Sequence, residues 1–420
     1  MSATERVIVV GGGVAGLVAA RELALAGREV LLLERTERLG GQLRSHSVAG
    51  IDLDAGADSF APRGELLRLV GALGLADDVE GARGSGGWLH RADGTSVPLP
   101  ALQLLGIPGV PLARDVAAAI GMGAALRAQL DTLLPGLVAA KATTLEQLVR
   151  ARMGRGVLEG LVAPVVRAAF SATPGELGVE ETVPGLARRM LSAGNLAGAV
   201  RVQLGEPGTG GRGSTLRGGL FRLADALVAE LSRFGVEVRT GIEVTAADPA
   251  GVTTAAGERI RGEVLLAAPL EAPRSPVTCV TLALEAEELA DAPRGWGVAV
   301  AVAAPEVAAA GLEHLSVTWP WLAEASPVQF VRLRYEEGAE ATAARAQRDA
   351  ELLLGRRLPR PVDVATVRWE RVRRNRSAAH AIDGMRRMGE AESGAGLAAV
   401  VPYARSVAGA IPSNGDRIEG

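Results

Sequence analysis

The sequence predicts an α/β protein organised around a parallel sheet, and three features of its opening carry that prediction. An apolar run from Val7 to Val10 meets Gly11-Gly12-Gly13. An alanine- and leucine-rich helical stretch follows, and a second apolar run from Glu29 to Leu33 ends in Glu34. Strand, glycine turn, helix, strand and acid, in that order, make a Rossmann-type dinucleotide site. Gly11 allows the tight turn, and Gly13 lets backbone approach a pyrophosphate with no Cβ in the way. Gly16 lets helix and strand pack closely. Val14 and Ala15 begin the helix, whose first N–H groups and partial positive charge suit phosphate. Glu34, with Arg35 beside it, lies 18 residues past Gly16, close to the spacing of an acid that holds ribose hydroxyls.

The residues after Glu34 choose the dinucleotide. Arg38-Leu39-Gly40-Gly41-Gln42-Leu43-Arg44 reads R-x-G-G-x-x-R. It resembles the second signature of FAD enzymes of the glutathione-reductase and amine-oxidase type, in which a glycine pair and an arginine sit beside the pyrophosphate. The resemblance implies FAD in preference to NAD or FMN.

Composition bounds the remaining readings. The chain has 420 residues, enough for two or three domains with a sizeable core. A net charge of −3 and an aromatic content of 3% speak against a nucleic-acid binder, which needs a basic surface or stacking platforms. The single cysteine, Cys279, excludes an intramolecular disulfide and falls in an apolar run, so it reads as a buried structural thiol. His46, His90, His314 and His380 show no ligand spacing, and no metal is expected. The first strand begins by residue 7 and no apolar run approaches a bilayer-spanning length, which leads to the expectation of a cytoplasmic protein with no leader and no transmembrane segment.

In chain order, Gly50 to Phe60 reads as a short strand entering a glycine turn, Glu65 to Leu75 as a helix, and Trp88 to Pro100 as a hairpin about Asp93-Gly94. Prolines at 98, 100, 108 and 111 break regular structure. Helices are expected over Arg114 to Leu134, Thr144 to Met153 and Gly156 to Phe170, with Thr144 or Thr143 as a cap. Gly205 to Gly213 reads as a domain seam, and Gly219 to Arg233 as a helix. Strands are expected at Val236 to Thr240, Ile242 to Thr245, Glu263 to Pro269, Val277 to Leu284, Val328 to Arg334 (with one slip in its alternation) and Val362 to Trp369. Ala339 to Leu354 is a charged helix, Gly394-Ala395-Gly396 opens the last apolar helix, and the tail from Pro412 reads as mobile.

Several of these pieces together resemble the FAD-dependent protoporphyrinogen and coproporphyrinogen oxidases of the flavin amine oxidase superfamily. Gly56-Ala57-Asp58-Ser59-Phe60 is similar to the turn that this family sets beside the flavin. Val97-Pro98-Leu99-Pro100 and Leu105-Gly106-Ile107-Pro108 resemble its entry into a helical domain, and Thr144 to Gly178 resembles its helix, R-x-G, L-V-x-P segment. Thr215 to Leu220 resembles its L-R-G-G-L turn. Glu263 to Pro269 and Gly394 to Pro402 resemble the strand and helix that return to the cofactor.

The resemblance implies a Rossmann-type FAD-binding domain with a mixed-sheet substrate domain and a helical subdomain. The FAD domain would gather residues 1–60, 210–270 and 380–420, the substrate domain 61–100 and 271–379, and the helical subdomain 101–209. It adds Gly56, Ala57, Asp58, Ser59, Val244, Ala268, Gly394, Gly396 and Leu397 to the cofactor residues. The Gly394 to Leu397 helix start would stabilise charge on the reduced ring. The implied reaction is stepwise dehydrogenation of a porphyrinogen, a carboxylated tetrapyrrole, with oxygen as acceptor. Cations should then line the pocket, with Arg63 first and Arg167 second. Contact with a membrane surface is compatible with it. The run Arg371, Arg373, Arg374, Arg376 reads as a solvated face in preference to an anion or lipid patch.

The chain also departs from the family's pattern. Val166-Arg167-Ala168-Ala169-Phe170 stands where a glycine pair precedes the aromatic, and residues 370 to 380 lack an L-P-x-Y-x-x-G-H element. Gly384 to Glu390 replaces an apolar strand with one holding two arginines, costly to bury. These departures keep two alternatives open: an amine-oxidase-like or natural-product dehydrogenase on the same scaffold, and an inactive relative that acts as a binding partner.

Overall fold

The computed structural model describes residues 6–84, 86–205, 213–268, 274–372, 384–394 and 396–411. Its first sheet is built on the opening motif. The strands Val7–Val10 and Val30–Leu33 pair in parallel, with the helix Val14–Leu25 between them in sequence. Three further parallel strands complete the order Glu237–Arg239, Val30–Leu33, Val7–Val10, Glu263–Leu266, Arg386–Arg387. The central strands read as continuous apolar runs because both faces are covered. Val7, Val9, Leu32 and Leu265 pack in one core with residues of the helices Val14–Leu25, Arg222–Arg233 and Leu397–Gly409. Ile8, Val10, Leu31 and Leu33 pack against a small sheet of Val244–Asp248, Gly251–Thr254 and Arg259–Arg261.

The two arginines expected to be costly in the last strand are accommodated by its position. Arg386–Arg387 is only two residues long and lies at the sheet edge. Arg386 stays 37% exposed and donates to Glu263 at 2.7 Å.

A seven-stranded mixed sheet forms the second layer, in the order Asp363–Val372, Arg274–Leu284, Gln329–Tyr335, Gly311–His314, Gly297–Val300, Trp88–His90, Ser96–Pro98. One face carries Val280, Leu282, Val331, Leu333 and Tyr335 against the helix Ala343–Leu354. The opposite face, built from the alternate residues, carries Trp369, Arg371, Arg332 and Arg334 toward residues 54–58 and the helical segment. The slip in the Val328 to Arg334 pattern has its cause here. Alternation is unbroken, but the position after Phe330 on that face is Arg332, an arginine only 2% exposed.

The helical segment differs from its reading in two places. Gly121, at φ +82°, splits the expected helix over 114 to 134 into Arg114–Ile120 and Met122–Gln129, followed by a tight turn at Leu130–Leu133. The helices Leu186–Ala193 and Leu196–Gly205 were not foreseen. Arg152 and Asp131, both wholly buried, hold this unit together. Arg152 donates to the Asp131 carboxylate at 2.6 Å and to the Pro135 carbonyl, while Asp131 accepts from the Leu196 and Ala197 N–H groups. The Gly205 to Gly213 seam, Pro269 and the tail from Pro412 lie largely or wholly outside the described residues.

Candidate cofactor site and its substrate face

The glycines of the opening turn are needed for different reasons. A Cβ on Gly16 would lie 1.9 Å from the Gly11 carbonyl oxygen, so Gly16 is required for packing. At Gly13 the nearest atom to such a Cβ would be Gly41 Cα at 3.9 Å, and this glycine faces open space. Gly11 adopts φ +106° with Ala268 directly against it. Gly13 bridges to Gly40, whose N–H donates to the Gly12 carbonyl at 2.8 Å, so the two glycine loops form one cradle. No side chain caps the helix at Gly13, which leaves the first-turn N–H groups near Val14 and Ala15 for an anion. Glu34 sits at the rim. One carboxylate oxygen accepts the Gly12 N–H at 2.7 Å, and the other accepts from the Thr36 N–H and hydroxyl at 2.9 Å.

The other predicted cofactor residues divide into groups. Arg44 is half-buried and its guanidinium has no partner among the described residues. The Gln42 amide donates to Glu390 at 3.0 Å, and Leu43 packs into the core. Gly56 lies against the Trp369 indole, whose Nε1 is buried with no partner among the described residues. Ala57 packs at the edge of the core and Ser59 is exposed. Arg35 reaches Glu370 at 3.3 Å, and Val244 points into the apolar layer beneath the sheet. Gly394 abuts Glu181, Gly396 faces open space at φ +91°, and Leu397 packs inward; Ala395 lies outside the described residues.

Asp58 is held by a buried ionic cluster. Arg332 donates to Asp58, to the Asp54 carbonyl at 2.9 Å and to Glu313 at 3.0 Å. Burial pushes the Asp54 carboxyl up to about 7, although the Leu220 and Phe221 N–H groups hold it down at 2.9 and 2.8 Å. Glu390, which sequence reasoning missed, is also raised by burial and held down by Gln42, Arg371 and the Gly396 N–H. Its signal was available in Gly389-Glu390 just ahead of the glycine-opened helix.

The two arginines expected at a pocket are separated. Arg63 is exposed at the start of the helix Gly64–Ala72, with no side-chain partner among the described residues. Arg167 is bidentate to Glu336, at 3.0 and 2.7 Å. Arg371 departs from its reading as a solvated face. Only 13% exposed, it pairs with Glu176 at 3.0 Å because its strand faces the helical segment. Arg373, Arg374 and Arg376 lie outside the described residues, as does most of the stretch expected to hold the L-P-x-Y-x-x-G-H element. Arg371 borders a cavity of about 60 Å³ lined also by Phe170, Glu176, Glu181, Glu390 and Gly394. Ala168, where the resemblance implies a glycine, fits because Gly311 on the sheet has no side chain; a Cβ there would lie 2.8 Å from that of Ala168.

A glycine cradle at an uncapped helix start, an oriented acid, an unpartnered arginine and an orphaned indole N–H beside a glycine turn suit an extended dinucleotide that carries an aromatic ring system. These define the class: a flavoprotein with a Rossmann-type site. Residues 14–304 match the family described as flavin containing amine oxidoreductase, and the chain belongs to that family. FAD is accordingly its cofactor. A coproporphyrinogen III oxidase from Propionibacterium freudenreichii is 28% identical over 277 residues, 57% of this chain and 53% of that protein. A putrescine oxidase from Kocuria rosea is 50% identical over 76 residues, 18% of this chain and 16% of that protein. The chain thus spans about half the length of the coproporphyrinogen oxidase. A solved Exiguobacterium protein carrying the name protoporphyrinogen oxidase shares the fold at TM-score 0.79 and 22% identity, over 98% of this chain and 99% of its own.

Proposed function

We propose that the chain is an FAD-dependent oxidoreductase that dehydrogenates a porphyrinogen to the porphyrin, with oxygen as acceptor. The observation that carries this reading is Arg334, which lies on the sheet face that Arg332 ties to the Gly56–Phe60 turn and has no carboxylate partner among the described residues, since the substrate is a carboxylate-rich ring. The likeness to a coproporphyrinogen III oxidase supports the same choice. Bound FAD supplies the electron-accepting ring. Gly13, Gly40, Gly41 and Arg44 would hold its pyrophosphate and Glu34 its ribose, with Gly56 and Trp369 at its ring. Gln42 donates to Glu390 just ahead of the last helix, where burial raises the Glu390 carboxyl. The unit that binds FAD is discontinuous, drawn from residues 1–60, 210–270 and 380–420, with 61–100 and 271–379 as substrate domain and 101–209 as helical subdomain.

The test is aerobic incubation of flavin-loaded protein with coproporphyrinogen. Porphyrin fluorescence and hydrogen peroxide should appear well above autoxidation; a background rate removes the reading. The second reading, oxidation of an amine, is favoured by one feature. Among the described residues, the cavity at the start of the last helix is lined by three carboxylates, Glu176, Glu181 and Glu390, and by a single cation, Arg371. Peroxide formed from putrescine but not from a porphyrinogen would select it.

Membrane-surface contact belongs to the same proposal. Met122, Leu126, Leu130, Leu133 and Leu137 recur at three- and four-residue spacing and are all exposed, Leu133 and Leu137 by more than three-quarters. No helix among the described residues is long and apolar enough to cross a membrane. Co-sedimentation with anionic vesicles, lost when Leu133 and Leu137 become serine, is the expected result.

A further inference from the structure

We infer that Arg334 is a specificity-determining residue that receives a carboxylate of the substrate, with Ser171 beside it. The inference rests on the reading of a carboxylated substrate and names where one carboxylate is bound. Charge pairing at the seam between the helical segment and the sheet singles this residue out. Arg332 is neutralised by Asp58 and Glu313, Arg371 by Glu176, and Arg167 by Glu336. Arg334 has no carboxylate partner among the described residues. Its one side-chain hydrogen bond goes to the Ser171 hydroxyl at 3.2 Å.

The surroundings make that shortage of counter-charge consequential. Arg334 is half-buried in the centre of the sheet, directly opposite the buried Cys279 on one neighbouring strand and Gly311 on the other. A neutral hydroxyl satisfies one of five guanidinium donors, whereas a carboxylate would take two at once in the fork geometry that arginine favours. Ser171 is built to stay in place. It ends the helix Ala163–Phe170 in the left-handed region at φ +51°, with its N–H bonded to the Arg167 carbonyl at 2.9 Å. Arg334 also stands at a useful distance from the chemistry. It is two residues from Arg332 on the same face, hence about 7 Å along the strand from the group that holds Asp58 in the flavin turn. A ring substrate set against that turn would bring a peripheral carboxylate to this position.

The experiment titrates flavin-loaded protein with coproporphyrin and, in the same detergent buffer, with coproporphyrin tetramethyl ester, following quenching of porphyrin fluorescence. Wild type should bind the acid more tightly than the ester. Arg334→Gln should weaken the acid about 10-fold or more and leave the ester within about 2-fold, and Arg334→Lys should recover part of the loss. A merely structural arginine would shift both ligands equally, and that result overturns the inference. So does an acid affinity unchanged by Arg334→Gln, or a wild type that prefers the ester. If binding behaves as expected but coproporphyrinogen is not oxidised, the proposed activity fails while the role of Arg334 stands.

Discussion

Arg332 reaches from the middle of the seven-stranded sheet to Asp58 in the Gly56–Phe60 turn, and the same guanidinium bonds the Asp54 carbonyl. One buried cation thereby ties the seven-stranded sheet to the Gly56–Phe60 turn. Arg332→Met should remove the buried cation that Asp58 and Glu313 share, at a cost of about 3–5 kcal/mol. Denaturant unfolding of the flavin-loaded variant measures it, and a loss below about 1 kcal/mol would mean that the cluster is not a structural tie.

The two glycines of the first turn should fail in different ways. Gly16→Val places its Cβ inside the Gly11 carbonyl and should give little folded protein. Gly13→Val meets no protein atom closely, so the chain should fold but lose FAD, because the side chain occupies pyrophosphate space. A folded Gly13→Val protein with full flavin content would show that the pyrophosphate lies elsewhere.

Glu34→Ala should weaken FAD by about 1–3 kcal/mol through lost hydrogen bonds to a charged group. The Gly12 N–H loses its acceptor in the same change, so a small drop in stability of the flavin-free protein should accompany it. Isothermal titration of that protein with FAD checks the first figure. An unchanged affinity would detach Glu34 from the ribose.

Asp54 gives the fold a pH dependence of definite sign. Its carboxyl is raised to about 7 in the folded chain, above its ordinary value, so the folded state holds the proton more tightly than the unfolded chain. The stability from that protonation is complete below the ordinary carboxylate range and is lost as pH rises through about 7. Between about pH 5 and about pH 8, wild type should therefore lose more thermal stability than Asp54→Asn. Parallel melting curves for the two proteins would contradict the assignment.

Much of this architecture was legible in the sequence because local chemistry and tertiary role coincide there. The Val7 to Glu34 motif, the Thr144 cap (which accepts the Gln147 N–H at 3.1 Å) and the glycine-opened last helix each carry their own signal. Arg332 was illegible for the opposite reason. An arginine inside an apolar alternation looks like a slip, and only the distant Asp58 and Glu313 explain its burial. Arg371 misled in the same way, since a run of arginines resembles a solvated face until Glu176 is brought against it. Ala168 packs against Gly311 across 143 residues of sequence, a close contact that no local pattern reveals.

The most direct test of the whole account is an anaerobic one. Purified protein should carry FAD, and coproporphyrinogen added without oxygen at about one third of an equivalent per flavin, since the six-electron oxidation needs three two-electron flavins, should bleach its visible flavin band while porphyrin fluorescence rises. Readmitted oxygen should restore the band. Flavin-loaded protein whose spectrum stays unchanged by coproporphyrinogen and protoporphyrinogen, yet bleaches with putrescine, would contradict the porphyrinogen reading.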